Sequence, residues 1–559
     1  KRTYASSNGA KGATDLVTVS GHDPNGNVTR QDFHGGDLLP IPAASADTCN
    51  VQTNLGSPSY TQVVTPVDGE VSRWQRTASY LKTGTQAFDH LNLDETVDPS
   101  TGLVISSRDV SGLQTTYQYD NMHRLIQMKP AHEAQTSYVY TLPGIGNANA
   151  TPQVSVEQAP NGGGTPLLAH TRYLYDGLGR IKEEQRNVAS LGFKSRFTTY
   201  DAMGHKASVT EWGSSSSMRY SQFDHLGRPG KITLADNKVT DLMYFGDRSV
   251  ERSVSIGTTW NGINNVTEES VSTTELYDRF GRLFTVKESS GAGGTDTITT
   301  YTYDVGDRLV LASTPANGTT QEREWTYDQR GFLLSEKHPE RSAVVSNVHE
   351  KYPVTYGGYD AMGHATSRTD GVRTLTYAFD RAGRLTTVNE TPLNQELRVA
   401  KSFTYADGSS ACGWCKGKLW TSSRFNYTMF PQGPFKVEIK ETLTYSGLEG
   451  RPSTRVTQSV INGNAAEAFT FSQSYTPLGL PNVIDYPRCT HTACTDRNPP
   501  TRTVGHAYTN GYLTAVNGWA SPISYHANGL VNQVAHLNSA GVTVVDTQEN
   551  DPNGMPRPL

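Results

Sequence analysis

The sequence predicts an all-β chain: an array of antiparallel β-hairpins forming a long curled or spiralling sheet. Three observations predict it. An aromatic-Asp pair recurs every twenty to thirty residues, and a Gly stands four residues beyond most of those aromatics. The composition combines 52 Gly, 28 Tyr and 28 Pro with only 18% charged residues, a balance that suits strands and turns better than helices.

The recurrence is the first element. Pairs stand at Tyr119-Asp120, Tyr175-Asp176, Tyr200-Asp201, Phe223-Asp224, Tyr277-Asp278, Tyr303-Asp304, Tyr327-Asp328, Tyr359-Asp360 and Phe379-Asp380. From Tyr175 the successive steps are 25, 23, 54, 26, 24, 32 and 20 residues, the step of 54 reading as two units around a degenerate one at Tyr244-Phe245-Gly246-Asp247. A chain of 559 residues is too long for one compact core, and a repeat array is the economical alternative.

The turn is the second element. Gly and Arg follow at Gly179-Arg180, Gly227-Arg228, Gly281-Arg282 and Gly383-Arg384, with His in place of Arg at Gly204-His205 and Gly363-His364, and Gly331 holds the same position after Tyr327. Weaker copies continue at Tyr405-Ala406-Asp407, at Tyr445 with Gly450-Arg451, at Tyr475 with Gly479 and at Tyr525 with Gly529. In Tyr173-Leu174-Tyr175-Asp176-Gly177-Leu178-Gly179-Arg180 the two tyrosines alternate with other residues and share one strand face. Asp176 opens a type I turn and can accept backbone N–H bonds two residues on, Gly179 supplies the positive φ that reverses the chain, and Arg180 starts the return strand.

Stacking is the third. Repetition sets Tyr and Phe rings in a column along the sheet, each neighbouring pair contributing roughly 0.2–1 kcal/mol. Some fourteen units give on the order of 28 strands, beyond the ~10 an open twisted sheet tolerates before it curls or closes. The repeated Arg is expected to pair with turn aspartates or backbone carbonyls. A residue recurring in every turn is structural, so no repeat residue is assigned to catalysis.

The expected organisation is a degenerate or irregular start over residues 1–85, the array over 86–530, and further repeat or tail over 531–559. Segments such as Asn161-Gly162-Gly163-Gly164 and Gly291-Ala292-Gly293-Gly294 read as exposed connections. Neither end carries a targeting segment, and the chain reads as an internal piece of something longer.

A net charge of -5 without a basic tract excludes a nucleic-acid footprint, and no run of about 18 apolar residues predicts a membrane span. The hydrolase elbow, the zinc-protease helix motif and the phosphate-binding loop are all missing from the sequence. No cofactor is expected. Cys412-Gly413-Trp414-Cys415 has redox-motif spacing in a β context that does not suit it. With Cys489 and Cys494, its thiols are open to three readings: local disulfides, free thiols, or a zinc site that His491 could join. Cys49 is left over.

The motif Tyr-Asp-x-x-Gly-Arg with a period in the twenties resembles the RHS/YD-repeat family of bacterial rearrangement-hotspot proteins, the C component of insecticidal toxin complexes, and animal teneurins. The resemblance implies a hollow shell or part of one that encloses or scaffolds a polypeptide cargo, such as a C-terminal toxin of a secreted polymorphic toxin system. The alternative it allows is a cell-surface module binding carbohydrate or protein. It also implies a secreted or cell-surface location. Open sheet edges could join copies of the chain. Bacterial members end their shell in a core with Asp-Pro-x-Gly motifs and an aspartate-dependent self-cleavage site. Asp551-Pro552-Asn553-Gly554 resembles that tetrad, but Asp23-Pro24-Asn25-Gly26 and Asp98-Pro99 repeat it early in the chain, which favours a hairpin turn over a protease site.

Overall fold

The structure is a computed structural model and describes residues 2–3, 14–24, 26, 28–37, 41, 55, 58–67, 74–81, 88–143, 150–164, 166–260, 266–289, 295–316, 318–340, 342–345, 348–351, 353–407, 413–430, 433–487, 502–537 and 543–557. Its elements are strands, with one 3-10 turn at Leu448–Gly450 and no α-helix among the described residues. Among the described residues, forty strands belong to one sheet.

Strand pairing is antiparallel and runs between strands adjacent in sequence. Ala169–Tyr175 pairs with Ile181–Asn187, which pairs with Phe193–Tyr200. Leu333–Lys337 instead pairs with Val354–Gly357, stepping over the small separate hairpin Ser342–Val345/Val348–Lys351. The register slips at the repeat aromatic itself. Leu174 faces Glu183 while Tyr175 faces Ile181, and the same slip recurs at Tyr119, Tyr200, Tyr277, Tyr303, Phe379, Tyr405 and Tyr525. These units thus carry a bulge where the strand enters the turn, which raises local twist and re-aims the aromatic, whereas Phe223 keeps register with Pro229.

The chain divides into two compact units, each built from two separate stretches: Lys1–Gln135 with Trp325–Val504, and Thr136–Glu324 with Gly505–Leu559. In the first unit Arg330 donates to the Thr14 carbonyl at 2.9 Å and to Asp37 at 3.0 Å, Tyr60 donates to Asp360 at 2.6 Å, and Arg451 pairs with Glu133. In the second, Arg186 donates to the Asn528 carbonyl at 2.7 Å, Asn510 to the Ala189 carbonyl at 2.6 Å, and Arg557 to Asp236 at 2.8 Å. The partners lie 293 to 342 residues apart. In each unit, therefore, hairpin ends from one pass of the array rest on those of a later pass.

The core is thin. Strands such as Leu125–Lys129 and Ile181–Asn187 are half-buried along their whole length, with no alternation of a buried and an exposed face. The largest fully buried side chains are Val188, Val354, Asp15 and Cys415, with no aromatic among them. A two-layer sandwich would bury one face of every strand; here both faces of the sheet keep partial access to solvent.

Candidate functional site: the repeat turns

Each turn is organised by its aspartate. The Asp176 Oδ1 accepts the backbone N–H of Leu178 and of Arg180, both at 2.9 Å, while Oδ2 accepts Arg180 Nε at 2.8 Å. The backbone closes the same loop, with Gly179 N–H to Asp176 O at 3.1 Å and Asp176 N–H to Arg180 O at 2.8 Å. Gly179 sits at φ 78°, in the region that costs a residue with a Cβ.

The arrangement recurs closely. The repeat side chain reaches its aspartate from Arg124 to Asp120 at 2.7 Å, Arg228 to Asp224 at 2.8 Å, Arg282 to Asp278 at 2.7 Å, Arg308 to Asp304 at 2.7 Å and Arg384 to Asp380 at 2.7 Å. His205 and His364 do the same through Nδ1, at 2.9 Å to Asp201 and 2.8 Å to Asp360. Gly204, Gly227, Gly281, Gly331, Gly363 and Gly383 all have positive φ. His123 and Asp307 hold that conformation without glycine, at φ 63° and 62°.

The repeat cation also reaches forward. Arg180 lies 4.1 Å from the centroid of the Tyr200 ring, Arg228 4.1 Å from Tyr244, Arg282 4.8 Å from Tyr303 and Arg384 4.3 Å from Tyr405. His205 stacks on Phe223 and His364 on Phe379, at 4.7 and 4.6 Å. Each tyrosine hydroxyl then donates to a backbone carbonyl of the preceding unit: Tyr200 to Ile181 at 2.9 Å, Tyr303 to Leu283 at 2.9 Å, Tyr405 to Leu385 at 2.9 Å. The expected column of rings is therefore a column in which a cation or imidazole separates successive aromatics. The reason is reach: the return strand places the Arg, not a second ring, opposite the next aromatic.

One unit is rearranged. After Tyr327, which ends Thr319–Tyr327, Phe332 replaces the Arg and stacks on Tyr359 at 4.4 Å. Arg330, two positions earlier, takes over the ion pair with Asp328 at 2.7 Å and extends to Asp37. Asp37, Tyr60 and Glu133 carry no repeat signature, and their roles had no local sequence signal. Tyr277 ends its strand and donates to Glu275 at 2.7 Å.

The electrostatics match a structural role. The Arg180 backbone N–H, helped by its guanidinium and opposed by burial, holds the Asp176 carboxyl below its ordinary 3.8; the Arg124 and Arg228 amides act alike on Asp120 and Asp224. Burial pushes Tyr359 up to about 12. Among the described residues no group of three or more His, Cys, Asp or Glu could hold a metal ion. Cys415 is fully buried and disulfide-bonded; Cys412, Cys489 and Cys494, with Cys49 and His491, lie outside the described residues. Asp551 closes a turn with Gly554 N–H at 2.8 Å and binds Arg557 Nε at 2.6 Å. Asp98 closes a like turn with Gly102 N–H at 2.7 Å and Asp23 one with Gly26 N–H at 3.0 Å.

The residue before the turn glycine is apolar in many units and projects outward. Leu178, Met203, Leu226 and Phe280 are all at least 64% exposed, which gives the turns of the Thr136–Glu324 stretch a row of apolar tips.

Comparison with known proteins follows this geometry. The RHS Repeat family model matches residues 99–131, which contain the Asp120 turn. No curated protein sequence matches the chain. Among solved structures, TcdB2-TccC3 without its hypervariable C-terminal region is 12% identical over 98% of this chain and 37% of its own, at a TM-score of 0.58. A second TcdB2-TccC3 structure gives 12%, 98%, 35% and 0.58. The Photorhabdus luminescens Tc holotoxin pore bearing a TccC3 mutation gives 12%, 96%, 36% and 0.58. The chain spans just over a third of the length of these structures, and at such identity the likeness is one of fold. The chain thus carries a matched RHS repeat at residues 99–131, repeats its aromatic-Asp hairpin well beyond it, and shares the fold of these structures.

Proposed function

We propose that this chain is wall material for a shell that encloses a polypeptide, with no catalytic role of its own. The observation that carries the reading is the pairing of a saturated turn with a thin sheet. Every intact repeat aspartate already accepts two backbone N–H groups and a basic side chain, and the half-buried strands extend surface area without building a deep core. Such a sheet suits separation of one space from another. The fold shared with TcdB2-TccC3 structures supports the same reading. The enclosed partner is a polypeptide such as a toxin segment, and the setting is secreted or at the cell surface. No helix among the described residues is long and apolar enough to cross a membrane.

The test is limited proteolysis of the full-length gene product. Under enclosure, a segment outside the repeats survives protease amounts that degrade the same segment expressed alone, and becomes sensitive once the shell is denatured. Equal cleavage of the segment in both contexts overturns the proposal.

A further inference from the structure

Several strand cations in this sheet are set against carboxylates. Arg196 stands directly opposite Glu184 and pairs with it at 2.5 Å, Arg398 stands opposite Glu390 and pairs at 2.8 Å, and Lys231 stands opposite Asp241 at 3.9 Å. Lys401, in the strand Arg398–Tyr405, departs from this arrangement. It stands directly opposite Arg424 of the strand Leu419–Phe430. Neither cation meets a carboxylate among the described residues. Like charges facing each other across a ladder weaken it, and a bound dianion between them would turn that repulsion into attraction.

The two cations open onto a cavity of about 410 Å³ on one face of the sheet. Strand pairing builds that face in two rows. Lys401, Arg424 and Ile439 stand side by side in one row, and Phe403, Ser422 and Glu441 in the other. All of them line the cavity, whose size is within the range of small-ligand sites. Lys401 and Arg424 are exposed, while Phe403 and Ile439 are half-buried.

The acid of the second row is already engaged. Glu441 Oε2 accepts the Ser422 hydroxyl at 3.4 Å, and Oε1 lies 3.8 Å from Arg455 Nε. Arg455 stands opposite Leu443, two residues beyond Glu441 and so on the same face. Lys401, Arg424 and Arg455 against Glu441 leave two positive charges on this face, and those two belong to the facing pair Lys401 and Arg424.

We propose that this cavity binds a small phosphate monoester, a free molecule whose phosphoryl group lies between Lys401 and Arg424 and whose apolar body packs on Phe403 and Ile439. Charge selects the group: a phosphate monoester carries about -1.5 to -2 at pH 7, which matches two unpaired cations, whereas a carboxylate supplies one charge. The Arg424 guanidinium offers a planar fork to two phosphate oxygens and Lys401 a point charge to the third. The apolar flank favours an ester over inorganic phosphate. The proposal is independent of the enclosure reading, because it concerns one face of neighbouring strands and holds whether or not the sheet surrounds a cargo.

Saturation-transfer NMR on the full 559-residue chain tests it with phenyl phosphate as the probe. Benzoate and benzylamine serve as monoanionic and cationic comparisons, and inorganic phosphate is read by competition. Phenyl phosphate is expected to bind with Kd of about 1 mM at low salt, and about tenfold more weakly at about 0.5 M salt, where exposed charges are screened. Lys401→Gln and Arg424→Gln are each expected to weaken it about tenfold, whereas Glu441→Gln, which removes the opposing charge, tightens it several-fold. Each Gln variant of the two cations is expected to melt at or above the parent, since it removes a repulsion from the ladder. Absence of phenyl phosphate binding, equal binding of benzylamine, or undiminished binding in both cation variants overturns the proposal. Inorganic phosphate that competes as well as phenyl phosphate overturns the packing role of Phe403 and Ile439. N-acetyl-O-phosphotyrosine amide binding more than about tenfold tighter than phenyl phosphate overturns the free-molecule reading in favour of a phosphorylated polypeptide.

Discussion

Arg180 links its own turn to the next one: Nη2 is 2.7 Å from Asp176 Oδ2, and the guanidinium carbon is 4.1 Å from the centroid of the Tyr200 ring. Tyr200 in turn donates to the carbonyl of Ile181, the residue after Arg180. The links are individually small, and the sheet is strong by repeating them.

The first prediction concerns that link. Arg180→Ala removes a stack worth roughly 0.5–1 kcal/mol and frees the Tyr200 hydroxyl's neighbourhood. Hydrogen exchange is expected to quicken at Gly179 and also at the Tyr200–Gly204 turn, one unit away. Arg180→His is expected to restore most of the protection, because His205 and His364 already fill this position with both contacts intact. Exchange confined to the mutated turn would show that the units are not coupled through this side chain.

A second prediction is pH dependence. The folded pKa of Asp176 lies below its ordinary value, chiefly through the Arg180 backbone N–H. A depressed carboxyl contributes stability above its unfolded value of about 3.9 and loses it as pH falls through the folded value. Protection factors at the Leu178 and Arg180 amides are therefore expected to fall below about pH 4, in step with those at the Asp120 and Asp224 turns. Asp176→Asn keeps one acceptor oxygen for the two amides but cannot titrate, so its turn is expected to lose the acid limb. Protection that is flat through this range in the parent chain contradicts the assignment.

The third prediction separates two glycines of one turn. Gly179 has φ 78°, and Gly179→Ala should cost about 1–2 kcal/mol through backbone strain. Gly177 has no positive φ and open space where a Cβ would stand. Gly177→Ala should be neutral or stabilise by about 0.4–1 kcal/mol, through a less free unfolded chain. Thermal unfolding of the two variants gives the comparison, and equal destabilisation would mean the turn is of another type.

How far the sequence carried this description depends on how local each relationship is. The hairpin was legible because Asp176, Gly179 and Arg180 meet within five residues, and such spacing survives in a linear text. The next step was read as ring on ring, which holds for Phe332 on Tyr359 but not where Arg or His takes that place: the two strands and the turn between Arg180 and Tyr200 set their meeting, and their length varies from unit to unit. Contacts such as Arg330 with Asp37 and Tyr60 with Asp360 were illegible, since the partners lie 293 and 300 residues apart and belong to no shared pattern.

A fourth prediction concerns the apolar tips. Leu178, Met203, Leu226 and Phe280 occupy the position before the turn glycine and stand largely in solvent. In each of these turns the neighbouring aspartate, glycine and basic residue already complete the hydrogen bonding, so the apolar tip adds little to the hairpin that carries it, Phe280 alone of the four having cations over its ring, Arg279 at 4.8 Å and Arg282 at 5.0 Å. Replacing all four by Ser should leave stability within about 0.5 kcal/mol per site, since little apolar surface is buried there to lose. The same change removes a row of adjacent exposed apolar groups, the kind of surface that drives association. The quadruple variant is therefore expected to melt within a few degrees of the parent while staying monodisperse at protein concentrations where the parent self-associates, by light scattering. A large drop in melting temperature would mean that these tips are packed in solution, and that the turns of this stretch are covered in the molecule as it exists there.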